Sequence, residues 1–220
     1  MSNDTPPNPV TEIVGSDHVA RIVQILTAAL SASVFICIAQ RLGAYFIADH
    51  HLAAGQLVDW PEIWWGCIPL ALTMLWTAKN SVDEFRAFGK PPSPVFSLGT
   101  TVLFSTCAYV ALATAGSLLF DGMKAIWALA VFFAICSLWS LASAWRHASQ
   151  ESAKRDRRKL RERFEWSLAY PICAGSLAYY AHHNGEGWTA LLPLVPAVYF
   201  VRDAWNLKTF STKSEGTTGA

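Results

Sequence analysis

A chain of 220 residues is long enough for one or two soluble domains, yet only 15% of it is charged and 53% is apolar. An ordinary soluble domain carries roughly 25% charged residues. The formal net charge of +1 conceals segregation: charges gather in short clusters and leave long windows nearly free of them, which excludes an ordinary soluble domain and points to a bilayer protein.

The first twenty residues, MSNDTPPNPVTEIVGSDHVA, hold acidic residues but no Lys or Arg. They lack the basic start of a secretory signal, so 1–20 is expected to be a disordered cytoplasmic tail. A membrane span needs about 20 mostly apolar residues. The first such run is 22–39, with Arg41 just beyond it. Residues 42–60 then mix Tyr45, Phe46 and Ile47 with Asp49, His50 and His51, too polar to cross and suited to lying along the outer interface. The second run, 63–78, is entered through Pro61 and leads into the charged stretch 79–90, where Gly89, Pro91, Pro92 and Pro94 break the helix.

A third run covers 96–119, and Asp121–Gly122 turns the chain into a fourth at 125–145. The fifth and sixth, 166–181 and 188–201, are joined through Asn184, Gly185 and Gly187. So short a connection makes them antiparallel neighbours. Residues 209–220, polar and rich in Gly, Ser and Thr, read as a second disordered cytoplasmic tail. The expected fold is an all-α polytopic membrane bundle over 21–208, with six transmembrane helices arranged as three helical hairpins.

Between the fourth and fifth runs lies AKRDRRKLRERFEW, which holds seven of the seventeen Lys and Arg residues: Lys154, Arg155, Arg157, Arg158, Lys159, Arg161 and Arg163. Basic loops beside spans stay on the cytoplasmic side. Placing this one inside puts both termini in the cytoplasm and fifteen of the seventeen basic residues with them, leaving only Arg41 and Lys124 outside. The matching location is a bacterial inner membrane. As a helix over 151–165, the stretch sets Asp156 against Lys159, Arg158 against Glu162 and Arg161 against Glu165. It reads as a topology determinant that meets anionic headgroups, or as a partner-docking helix. No surrounding basic domain with stacking aromatics supports nucleic-acid binding.

On the outer side His50, His51, His182 and His183 form two pairs beside several carboxylates. Imidazole and carboxylate suit a transition metal, and haem is a further reading, although haem normally needs a deeper His. The other reading is a polar rim in which His sits at helix C-termini. Arg41, the one outer Arg, either snorkels or meets an anion or a carboxylate such as Asp49.

The even-numbered runs share a weak repeat, W-x4-[PF]-x6-[WF]: Trp64, Pro69 and Trp76; Trp127, Phe132 and Trp139; Trp188, Pro193 and Phe200. Either these are aromatic belts, the leading Trp of each copy marking the outer interface, or the chain repeats one hairpin and its Pro-interrupted second and sixth spans flank a transport path. Pro69, Pro193, Tyr170 and Ser176 are the candidate lining of such a path. Ala28/Ala32, Ala29/Ser33, Ala111/Ala115, Ala130/Ala134 and Ala174/Ala178 have the spacing of close helix packing in lipid. Cys37, Cys67, Cys107, Cys136 and Cys173 are spread one to a span and read as small hydrophobes.

No zincin, phosphate-loop or nucleophile-elbow motif is present. The expected function is therefore non-enzymatic and without a cofactor: a subunit or scaffold of a membrane complex, engaging lipid and a protein partner or second copy through the basic helix. A small-solute or ion permease is the alternative, and an outer-face metal or haem protein the third reading.

Overall fold

The computed structural model describes residues 9–45, 47, 68, 70–76, 95–119, 121, 123–148 and 157–202. Among them there is no strand. The elements are α1 (Pro9–Ala44), α2 (70–76, with Ile68 also helical), α3 (Val95–Ser117), α4 (Met123–Ala148), α5 (Arg157–His182), a 3-10 turn (Gly187–Leu191) and α6 (194–202). Helical backbone thus begins at Pro9, inside the stretch expected to be a tail. Proline is a favoured first helical residue because its missing N–H would be unpaired there anyway.

Helices α1 and α3 run parallel in a constant register. Ser31 meets Tyr109, and Arg41 meets Leu119, both 78 residues on. Ile38 faces Gly116 at the same offset, so closely that a Cβ on Gly116 would lie 2.7 Å from Ile38 Cγ1. Glycine is needed here for the approach of two helices. Ser31 Oγ also bridges the Thr27 carbonyl at 2.8 Å and the Tyr109 hydroxyl at 2.9 Å. An interhelical hydrogen bond of this kind contributes about 0.6 kcal/mol in lipid. From α2, Trp76 packs on Tyr109 of α3.

The turn after α3 is closed by Asp121 N–H donating to Leu118 O at 2.8 Å, and α4 returns along α3. The most extensive packing joins α4 to α5. Ser137 meets Ser167 and Phe133 meets Tyr170, so these helices are antiparallel. Contacts Glu165–Arg202, Trp166–Tyr199 and Tyr179–Trp188 make α5 and α6 antiparallel in turn. The link between them is a Schellman-type cap. Gly185 N–H donates to Tyr180 O and Asn184 N–H to Ala181 O, with Asn184 at φ 51° and Gly185 at φ 71°.

Pro171 stands inside α5. It has no N–H for the Ser167 carbonyl four residues back. Ser137 Oγ of α4 donates to that carbonyl over 3.5 Å, so a neighbouring helix supplies what the proline removes. Ser137→Ala is expected to destabilise the bundle by about 1 kcal/mol, and to do almost nothing when Pro171→Ala is also present, because residue 171 then provides its own N–H. Denaturation of the four variants in detergent checks this; equal losses in both backgrounds would refute the coupling.

Pro193 and Pro196 act differently. They fall just before and within the first turn of α6, where a missing N–H is harmless. They also separate α6 from the 3-10 turn, so the sixth apolar run is two short pieces. Among the described residues two helices, Ile25–Ala44 and Met123–Trp145, are long and apolar enough to cross a membrane. Val102–Ser117 and Gly187–Arg202 are apolar but shorter.

The core is aromatic. Trp76 packs edge-on against Tyr109 at 4.5 Å, Trp139 at 5.6 Å and Phe132 at 5.9 Å between ring centroids. The series continues through Phe133 to Phe200 and to Tyr170 and Trp166. Trp76 and Trp166 belong to this core, 2% and 8% exposed. Trp127, Trp145 and Trp188 are exposed.

Polarity around α4 runs against the pattern of a soluble protein. Its exposed stripe is Trp127, Val131, Ala134, Leu138, Leu141, Ala142 and Trp145, while Ser140 and Ser143 are buried. On α1, Ile22, Ile25 and Ile36 are exposed while Thr27 and Ser31 are buried. A helix apolar on all sides belongs in a large core or in a membrane.

Candidate functional site

The helix directions give the bundle two polar ends with an apolar length between them. One end carries Arg41, Asp121, Lys124, His182, His183 and Glu186. The opposite end carries Arg21, Arg146, Arg157, Arg158, Lys159, Arg161, Arg163, Glu165 and Arg202 by backbone position. Eight of the ten described Lys and Arg residues are thus at one end. Between the ends, no described residue of α3, α4, α5 or α6 is a Lys, Arg, Asp or Glu.

At the basic end, Arg161 Nε donates to Glu165 Oε1 at 3.0 Å, the pair expected from the i,i+4 spacing. Glu165 Oε2 accepts from Arg202 Nη2 at 3.2 Å. One carboxylate thereby ties α5 to the end of α6. These side chains are exposed, so the pairs add little to stability; they set the position of the helix ends. Arg157, Arg158, Lys159 and Arg163 stand on the same first two turns of α5. Lys154 and Arg155 lie outside the described residues.

At the other end Arg41 has found a role that its sequence neighbourhood does not show. Its Nε donates to the Leu119 carbonyl at 2.9 Å, and its Nη2 lies 3.5 Å from Asp121 Oδ1. A guanidinium from α1 thus caps the carboxyl end of α3, where unpaired carbonyls and the helix dipole favour a cation. Asp49 lies outside the described residues.

His182 and His183 close α5. The His183 ring stacks on Tyr179 at 4.0 Å, its Nδ1 lies 3.0 Å from Tyr179 O, and its centroid is 5.2 Å from that of His182. Among the described residues no three His, Cys, Asp or Glu side chains gather as a metal site. His50 and His51 lie outside those residues.

A cavity of about 180 Å³ lies between α2 and α6, floored by α4 and α5. Ile68, Leu72, Leu75, Leu129, Phe133, Leu177, Pro196 and Phe200 are among its lining, and Pro193 is the one candidate path residue there. Tyr170 is buried between Phe133 and Trp166, and Ser176 Oγ donates to Cys173 O of its own helix. Pro69 lies outside the described residues. The side chains lining the cavity are all apolar and give a hydrated solute no partner. Its one advance signal in the sequence is the Pro193/Pro196 spacing, which sets one ring just before α6 and the other in its first turn.

The small-residue pairs divide. Ala111 and Ala115 are buried between helices, whereas Ala28, Ala29, Ala32 and Ser33 are exposed on α1. Cys136 and Cys173 are buried and Cys107 is exposed, all as free thiols; Cys67 lies outside the described residues. Comparison with protein-family models, with curated proteins and with solved structures finds no match to this chain.

Proposed function

We propose that this chain is a six-span integral membrane protein with cytoplasmic termini, acting as a non-enzymatic subunit or scaffold of a membrane complex in a bacterial inner membrane. The observation that carries the reading is the segregation just described: an apolar lateral surface, and basic residues collected at one end. A lateral surface as apolar as the core is what hydrocarbon selects, and one-sided basic charge is what a cytoplasmic face selects. The first turns of α5 then place Arg157, Arg158, Arg161 and their neighbours at the end that meets anionic headgroups and a partner protein.

The proposal is tested by gentle extraction from native membranes. The wild-type chain is expected to co-purify with a stoichiometric partner, and a chain with Arg157→Glu, Arg158→Glu and Arg161→Glu to lose it while remaining in the membrane fraction. A partner retained by the triple variant, or no partner on the wild type, would overturn the scaffold role. Recovery of the chain outside the membrane fraction would overturn the membrane reading itself.

A further inference from the structure

We propose that the groove between α2 and α6 holds one hydrocarbon tail of a bilayer phospholipid. The proposal rests on the membrane reading above and adds a specific lipid site to it. The floor is made by Leu129 and Phe133 of α4, with Leu72 of α2 on one wall and Pro196 of α6 on the other. Ala71, Ala197 and Val201 line the groove and are themselves exposed, so it opens sideways. Around that mouth Met74, Leu194 and Val198 are exposed too. The mouth therefore opens onto the apolar lateral surface, reaching at Val201 the residue before Arg202 of the basic end.

Size and chemistry eliminate the other occupants. The volume is about 180 Å³, and an apolar cavity of about 150 Å³ stays dry yet accepts a benzene-sized molecule. Water is excluded by the absence of polar partners. A helix from another protein, with a diameter of about 10–12 Å, is too thick to enter. From Pro193 to Val201 the groove follows α6 for roughly 12 Å at 1.5 Å per residue, a slot parallel to the bundle axis. Long, narrow, dry and open to hydrocarbon, it fits a segment of an acyl chain.

The full chain is reconstituted in phosphatidylcholine vesicles containing a small fraction of phosphatidylcholine with a diazirine in one acyl chain, then irradiated and mapped by mass spectrometry. Labelling at Ala71, Leu75, Ala197 and Val201 is expected to exceed that of the exposed α4 positions Val131 and Leu138 several-fold. Ala197→Trp, which fills the slot from its mouth, is expected to bring the groove down to the α4 level and leave α4 unchanged. Equal labelling of groove and α4 in the wild type would overturn the proposal, as would a groove labelled less than α4, the mark of a protein occupant. Persistence of the excess in Ala197→Trp would also overturn it. A chain that fails to enter vesicles and takes no label anywhere defeats the membrane reading first, so the two failures are distinct.

Discussion

Trp76→Ala is expected to be the most destabilising single substitution in the core, with a loss of about 3–5 kcal/mol, the range for removing a large buried aromatic. Trp76 is 2% exposed and is the hub at which three rings from α3 and α4 meet one ring from α2. Its removal leaves Tyr109, Phe132 and Trp139 facing a void, and each edge-to-face pair lost is worth about 0.5–1.5 kcal/mol beyond burial. Trp76→Phe retains part of that contact and is expected to lose clearly less. Denaturation in detergent, followed by retention of helical signal, ranks the two variants. A loss from Trp76→Ala no greater than that from alanine at an exposed residue such as Val131 would show that α2 is not held at this point.

Gly185→Val is expected to come next, through backbone and side chain together. Gly185 sits at φ 71°, where an L-residue is strained by roughly 1–2 kcal/mol. A Cβ there would also lie 2.7 Å from the Tyr180 hydroxyl and 2.8 Å from Cζ of the same ring. Tyr180 is buried, so the ring has little room to withdraw. Gly187 provides the control: at φ 61° it bears the same backbone demand, but nothing lies within 4 Å of its Cβ position. The expected order of loss is Gly185→Val, then Gly185→Ala, then Gly187→Ala, measured as shifts in the denaturation midpoint. Equal losses from the two alanine variants would mean that the Tyr180 contact contributes nothing.

The helical character of the chain was readable from its apolar runs, and the runs at 96–119, 125–145 and 166–181 coincide with α3, α4 and the apolar part of α5. The Arg161–Glu165 pair and the short turn through Asn184 and Gly185 were also readable, because each depends on residues close in sequence. What was hidden depends on register between distant helices. The parallel offset of α1 and α3 rests on Gly116 meeting Ile38, and no local pattern marks that glycine. Pro171 announces an unpaired carbonyl, but Ser137 as its donor emerges only when α4 and α5 are placed side by side. The burial of Trp76 and Trp166 was hidden for a related reason: tryptophan near the end of an apolar run serves a belt or a core equally well, and only the neighbouring helix decides. Among the candidate path residues, Pro193 reached the cavity while Tyr170 turned into the aromatic core, a difference set by packing geometry.

In the membrane proposed for this chain, the interruption of α6 would have a consequence for the surrounding lipid. Five residues of 3-10 turn and nine of α-helix give that flank a height of roughly 25 Å, whereas the apolar part of α4 rises about 35 Å. Hydrocarbon about 30 Å thick would then be too tall on one side of the molecule and too short on the other. The leaflets relieve such mismatch by thinning locally or by letting the protein tilt. In the proposed membrane, a lopsided girdle of this kind would give neighbouring proteins a preferred side of approach without any direct contact.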